Sequence, residues 1–274
     1  MGNRATRSMT QNLAQELDRL VLDYPRFSPC LVVSESSQII SAQQLLSSEA
    51  LADIATACAD IFHLEQLKHQ LHLWLYTFLN DVLSPALYVM IRSEIIPAID
   101  FSDDAHSAAL LFRRDAQGFW FGLRPQAQAR DYEDMGMGIA RSFAPIIAKI
   151  CEHSGMRPAP LWALVADAVV QSSIASANEE LETAKALRAI PQILAGIQRH
   201  SAWPLPTPRF AELIDDTIVE LAETHDVAAA PDVLVAHRSS CCMIYHSPEI
   251  AKCVSCPHQE KQQRYARIIA AYEY

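Results

Sequence analysis

Apolar residues at 13, 17, 20 and 21 recur at helical intervals, so Leu13–Leu22 reads as a helix with one buried stripe, ended by Pro25 and Pro29. Residues 30–33, Cys-Leu-Val-Val, read as a short strand. Ser48 followed by Glu49 marks a helix start, and helical patterning continues to about Asn80. Pro85 sits early in a further helix that should stop near Pro97. The period then changes. SAALLFRRDAQGFWFGLR (107–124) has two β-prone runs flanking Arg-Asp-Ala-Gln-Gly, a hairpin signal. Residues 132–154 return to helix, with Pro145 as a kink point. Pro158 and Pro160 open a helix through Trp162, and Asn178 with Glu179 and Glu180 reads as the cap and first turn of the next. WPLPTPRF (203–210) reads as a linker. From about Phe210 to Thr224, Leu213, Ile214, Thr217, Ile218 and Leu221 fit one helical face. HDVAAAPD reads as a loop, and a short final helix covers roughly Gln259 to Ala271. The expected fold class is α+β, mainly helical with a small antiparallel β element, in two parts: a body over 1–230 and a C-terminal module over 231–274.

Composition narrows the function classes. The chain has 274 residues, 50% hydrophobic and 20% charged, as expected for a packed domain, and only 7 glycines. A formal net charge of −10 argues against nucleic acid as a partner, because a phosphate backbone requires a basic surface. It tolerates a neutral or cationic ligand. No window reaches eighteen uninterrupted apolar residues, so no transmembrane segment is expected. Met1–Gln11 has two arginines without an apolar core behind them, so no secretory signal is expected either. The expected compartment is the cytosol, where thiols stay reduced.

Against that background the cysteines stand out. Four of the 7 fall in CCMIYHSPEIAKCVSC, as Cys241, Cys242, Cys253 and Cys256. Cys30, Cys58 and Cys151 sit in apolar or helical contexts and read as small buried hydrophobes. A clustered set in a reducing compartment reads as metal-binding or redox-active rather than as a disulfide frame. Cys253-Val-Ser-Cys256 can deliver two sulfurs in one tight turn, closed by Pro257. Cys241-Cys242 is the harder half, since neighbouring side chains on an extended chain point opposite ways. Either the chain bends there or the two sulfurs bind different metal atoms. Spacing alone leaves an iron–sulfur cluster, a zinc site and a redox dithiol open, and it fits neither common ferredoxin pattern.

The arrangement Cys-Cys-x10-Cys-x2-Cys resembles the terminal signature of the FhuF-type ferric-siderophore reductases. Arg238 and Ser240 before the pair, Tyr245 and Pro248 after it, and Pro257 at its close agree with that resemblance, as does APLWALVADAV (159–169) upstream. The resemblance implies a [2Fe–2S] cluster on Cys241, Cys242, Cys253 and Cys256, and an oxidoreductase that reduces siderophore-bound Fe(III) to Fe(II) by one electron. It implies a cytoplasmic location, with or without peripheral attachment to the inner membrane, and a body akin to siderophore synthetases. A ferric siderophore, of hydroxamate type, is the expected substrate. The rival expectation is a siderophore-binding or synthetase-like module with structural zinc on the same four cysteines.

Other features carry weaker signals. The nearest thing to a dinucleotide loop, GMGIAR (136–141), lacks the third glycine and follows no strand, so the electron is expected from an external donor, a ferredoxin or a flavin reductase. Glu65, His69 and His72 share a helical face, but no second such motif completes a metal site. His237, His246 and His258 flank the cysteines and are expected to hydrogen-bond near the cluster rather than ligate it. Asp103, Asp104 and His106 read as a solvated loop, Arg113, Arg114 and Arg124 as a charged outer face, and Trp120 and Trp162 as core or cleft lining.

Overall fold

The computed structural model describes residues 2–34, 37–102, 108–115, 118–222 and 229–272. Its architecture is the expected one, mainly helical α+β with small antiparallel sheets. Helix α1 (Gly2–Asp23) leads through a 3-10 turn into α2 (Ser28–Leu31), β1 (Ser37–Ile40) and α3 (Ala42–Leu45). Helices α4 (Ser48–Phe62) and α5 (Leu67–Arg92) follow, then β2 (Ala108–Asp115), β3 (Gly118–Pro125), α6 (Tyr132–Ser154), α7 (Pro158–Glu180) and α8 (Thr183–His200). The chain ends with β4 (Phe210–Ile214), β5 (Thr217–Glu220), β6 (Leu234–Ala236) and α9 (Lys261–Tyr272). One sheet has the order β1-β2-β3 and the other β5-β4-β6, all neighbours antiparallel.

The core is built from α5 to α8. Helix α5 is apolar on nearly every side from His69 to Ile91 and packs against α7. That burial explains why it runs unbroken through Pro85, where a boundary was expected: tertiary packing outweighs the roughly 3 kcal/mol cost of an interior proline. The break falls instead at His63, whose left-handed conformation (φ 52°) ends α4. Ser47, one residue before the expected start, caps α4 by accepting a bond from the Ala50 amide at 3.1 Å. The hairpin expected at 107–124 is β2 and β3. Among the described residues, α7 is the one helix long and apolar enough to cross a membrane, and 72% of that window is buried inside the protein.

Three expectations need correction. Residues 30–33 are not a strand: Pro29 presets the first turn of α2, Cys30 and Leu31 bury, and the exposed Val32 and Val33 pair with no sheet. Asn178 does not cap a helix but lies in the last turn of α7; its side chain donates to the Leu234 carbonyl (2.8 Å) and accepts from the Leu234 amide (2.9 Å), clipping β6 to α7. The segment expected as a helix from Phe210 is the β4–β5 hairpin. Asp215 and Asp216 both take positive φ (45° and 56°), the two-residue turn whose twist suits a hairpin, and Asp tolerates that region. The apolar residues there satisfy a period of two as well, with Ala211, Leu213 and Ile218 packed around Val235 and Ile268.

The glycines of GMGIAR have a packing role inside α6. A Cβ on Gly136 would fall 2.1 Å from the Ile193 carbonyl oxygen of α8, and one on Gly138 would fall 2.8 Å from the Ile99 carbonyl oxygen. Close α6–α8 approach therefore requires the missing side chain. Gly136→Ala is expected to destabilise the fold by about 1–3 kcal/mol through overpacking, read as a lower urea midpoint with an unchanged slope.

Candidate metal centre

Helix α7 presents one face to the C-terminal segment. Asp167, Gln171 and Asn178, spaced by four and seven, lie along it. Asn178 holds Leu234, Gln171 donates to the Ala236 carbonyl (3.4 Å), and Asp167 receives the chain immediately after β6. There the Arg238 Nε donates to Asp167 Oδ2, and the Ser239 amide donates to Asp167 Oδ1 at 2.9 Å. Both charged side chains are almost fully buried, at 3% and 2% exposure. Burial opposes the charge on Arg238, but Asp167, Tyr76 and Cys253 hold its pKa above the ordinary arginine value.

This anchor delivers the cysteines. All four are free thiols; Cys242 and Cys256 are buried, Cys241 and Cys253 half-buried. Their side chains form a connected group, Cys241 in contact with Cys242, Cys242 with Cys253, and Cys253 with Cys256. The bend that the adjacent pair demands is at Met243, which adopts φ 66°, followed by the 3-10 turn Ile244–His246. That bend turns two backbone amides toward sulfur: Met243 N–H to Cys241 Sγ (3.4 Å) and Ile244 N–H to Cys242. On the other side, the Cys256 amide closes a turn on the Cys253 carbonyl at 3.1 Å. The Cys242 contact holds the Cys241 thiol below its usual pKa and, with burial, pushes that of Cys253 well above it. Among the described residues no three or more Cys, His, Asp or Glu side chains are set to hold a single ion, so the grouping is one of thiols in mutual contact.

Helix α5 is the back wall. Leu64, Leu73 and Ile244 pack around Cys242, with Phe62, Tyr76 and Cys253 at the edge. The Tyr76 ring lies under the Arg238 guanidinium, 5.0 Å from ring centre to Cζ. Buried His72, whose pKa falls to about 4 chiefly through desolvation, is neutral and donates from Nε2 to the Cys241 carbonyl at 2.8 Å. Its neighbour His69 stacks on His246, ring centres 3.7 Å apart. The face that suggested a metal motif thus supports the cysteine loop instead, while Glu65 lies exposed before the helix begins. His237 bonds Glu220 at 2.9 Å, and His258 packs on Tyr245, so these rings contact other side chains. Buried Gln259 clamps the second cysteine turn by donating to the Cys253 and Val254 carbonyls (2.8 and 2.9 Å).

The remaining sequence candidates lie elsewhere. Arg124 pairs with Asp18 at 2.9 Å and Trp162 is buried. Asp103, Asp104 and His106, and the side chains of Arg113, Arg114 and Trp120, fall outside the described part. A cavity of about 250 Å³ between α4 and the first sheet, floored by Phe112 and Phe121, shares no lining residue with the cysteines. Cys58, pushed up to about 12 by burial, is an inert thiol.

Two buried polar atoms beside the cysteines have no hydrogen-bond partner among the described residues: Arg238 Nη2 and Ser240 Oγ. Arg238 acts electrostatically on Cys241 and Cys253. Four thiols, two amides directed at sulfur and a buried guanidinium with a free N–H form a donor set that fits an anionic sulfur-ligated group. Because the anchor is a buried pair, Asp167→Ala is expected to cost about 3–5 kcal/mol, leaving Arg238 uncompensated. Faster amide exchange across 238–258 than across α6 would place that loss in the cysteine segment; equal exchange would contradict the anchoring role.

Residues 238–258 match the family model described as the FhuF 2Fe-2S C-terminal domain. No curated protein and no solved structure matches the chain. The match begins at the residue that α7 anchors and ends just past the second cysteine turn, enclosing the whole thiol group. This match supports kinship of the segment with FhuF-type proteins, and the cofactor it implies is a [2Fe–2S] cluster.

Proposed function

We propose that the protein is a ferric-siderophore reductase of the cytoplasm in which Cys241, Cys242, Cys253 and Cys256 hold the [2Fe–2S] cluster. The observation that carries this is the gathering of these four thiols, with amides and a buried guanidinium facing them, inside the segment that matches the FhuF 2Fe-2S domain. Bound there, the cluster supplies a one-electron carrier. The chain's own groups do the rest. Met243 and Ile244 amides and Arg238 stabilise negative charge on sulfur, which favours the reduced state. The α5 wall excludes water from one side. We also take 231–274 to be the redox module and the preceding body to be the surface that meets the siderophore.

The chemistry suits the substrate. Fe(III) is a hard ion held tightly by hydroxamate oxygens; one electron converts it to Fe(II), which the same oxygens hold far more weakly. No bond in the siderophore has to break. An external redox protein supplies the electron, since the chain offers no nucleotide loop.

Cys→Ser at 241, 242, 253 or 256 is expected to abolish or strongly perturb the visible absorption and the iron and acid-labile sulfide content of anaerobically purified protein. The same change at 30, 58 or 151 should leave them intact. Colourless protein holding zinc would instead support the structural-zinc reading.

Reduced protein is expected to be reoxidised stoichiometrically by a ferric trihydroxamate, with Fe(II) appearing in a chelator trap, and NADPH alone should not reduce it. If no ferric siderophore reoxidises it with the trap present, the reductase reading fails.

A further inference from the structure

The charge of this chain is unevenly placed. Residues 252–272 carry Lys252, Lys261, Arg264 and Arg267 against one carboxylate, Glu260, a net of +3 in a chain of −10, so the remainder carries −13. Lys252 donates to the His258 carbonyl and Arg267 to the Gln259 side chain, while Lys261 and Arg264 lie against the Tyr265 ring. None of the four forms a salt bridge with a carboxylate among the described residues; the nearby Glu220 is engaged by His237 and Tyr265. Arg209 adds a further positive charge beside Tyr265.

This basic rim borders a groove of about 210 Å³ lined by Ile174 and Ala175 of α7, Val254 and Ser255 of the second cysteine turn, and Ile268 and Tyr272 of α9. Val254 and Tyr272 are 40% and 43% exposed. Arg264 precedes Ile268 by one helical turn, and Arg267 reaches the cysteine turn through Gln259, which holds the Cys253 and Val254 carbonyls. An apolar floor with a charged edge is the make-up of a transient protein interface, and the groove is smaller than the roughly 300–1,000 Å³ of most ligand pockets.

We propose that this rim is the docking surface for an acidic redox protein that delivers the electron. The partner loses one electron and this protein gains it. The proposal rests on the reductase reading above. Its physical basis is orientation: the −13 remainder repels an acidic partner on balance while this rim attracts it, so long-range forces favour the face where Val254 and Ser255 separate it from Cys253 and Cys256. A neutral ferric hydroxamate feels no such steering, so the two half-reactions separate by charge.

The test uses the 274-residue chain and the double substitution Lys261→Glu with Arg264→Glu on α9, where Lys261 is exposed and Arg264 half-buried. The probe is an acidic plant-type ferredoxin. At low ionic strength the variant is expected to bind it and be reduced by it about tenfold or more weakly and slowly than the parent, the difference closing at high salt. Reduction by a photoreduced neutral deazaflavin, and reoxidation by a neutral ferric trihydroxamate, should be unchanged. Ferredoxin binding and reduction equal to the parent's would overturn the proposal. So would a loss confined to reoxidation, since the rim would then serve the ferric complex. If the parent is reoxidised by no ferric siderophore while ferredoxin binding still depends on Lys261 and Arg264, the reductase reading falls and the docking surface stands.

Discussion

The buried pair between Arg238 and Asp167 fixes where the cysteines go. A buried ion pair is a poor source of stability, because desolvating two charges offsets most of their attraction. Its value here is geometric. Asp167 takes both the Arg238 side chain and the Ser239 backbone, so the chain leaves β6 with its direction set three residues before Cys241. Asp167 engages Nε, while Nη2 has no hydrogen-bond partner among the described residues, so the guanidinium is neutralised and still keeps an N–H to offer. An apolar replacement would pack as well but could not do both.

Helix α7 therefore serves two purposes with different faces. Its apolar residues pack on α5 and α8, while Asp167, Gln171 and Asn178 hold the edge of the second sheet and the start of the cysteine segment. Helix α5 complements it from the opposite side. His72 is buried, neutral and bonded to a backbone carbonyl, which fixes the Cys241 peptide without adding charge next to the sulfurs.

Much of this was legible in the sequence, and the illegible part has a common cause. Long helices, the 107–124 hairpin and the four-cysteine grouping follow from local period and spacing. The need for a bend at Cys241-Cys242 followed from side-chain direction, and Met243 provides it. The β4–β5 hairpin is ambiguous in the sequence because Leu213, Ile214, Ile218 and Leu221 fit a helical face, although the Asp215-Asp216 turn and the β-branched Ile214, Thr217, Ile218 and Val219 point the other way. Asp167, Tyr76, His72 and Gln259 carry no mark in the sequence as supports of the site. The partners of the first three lie some 70 to 170 positions away, and nothing in local spacing marks them. Asn178 shows the same limit: an Asn followed by two acids looks like a cap, and only the position of β6 reveals its use.

The site is also asymmetric in a way that bears on electron exchange. Leu64, Leu73 and Tyr76 cover the Cys242 side with the body of the fold, where close approach by another molecule is impossible. On the second cysteine turn Cys256 is buried, and Val254 between the two thiols reaches the surface with Lys252 beside it. Hydrogen bonds and a buried positive charge near sulfur raise a reduction potential, while exposure gives a partner a short path. Arg238 and the Met243 and Ile244 amides act on the sulfurs, while Val254 of the second cysteine turn is what reaches the surface, so tuning the centre and reaching it do not compete for the same atoms.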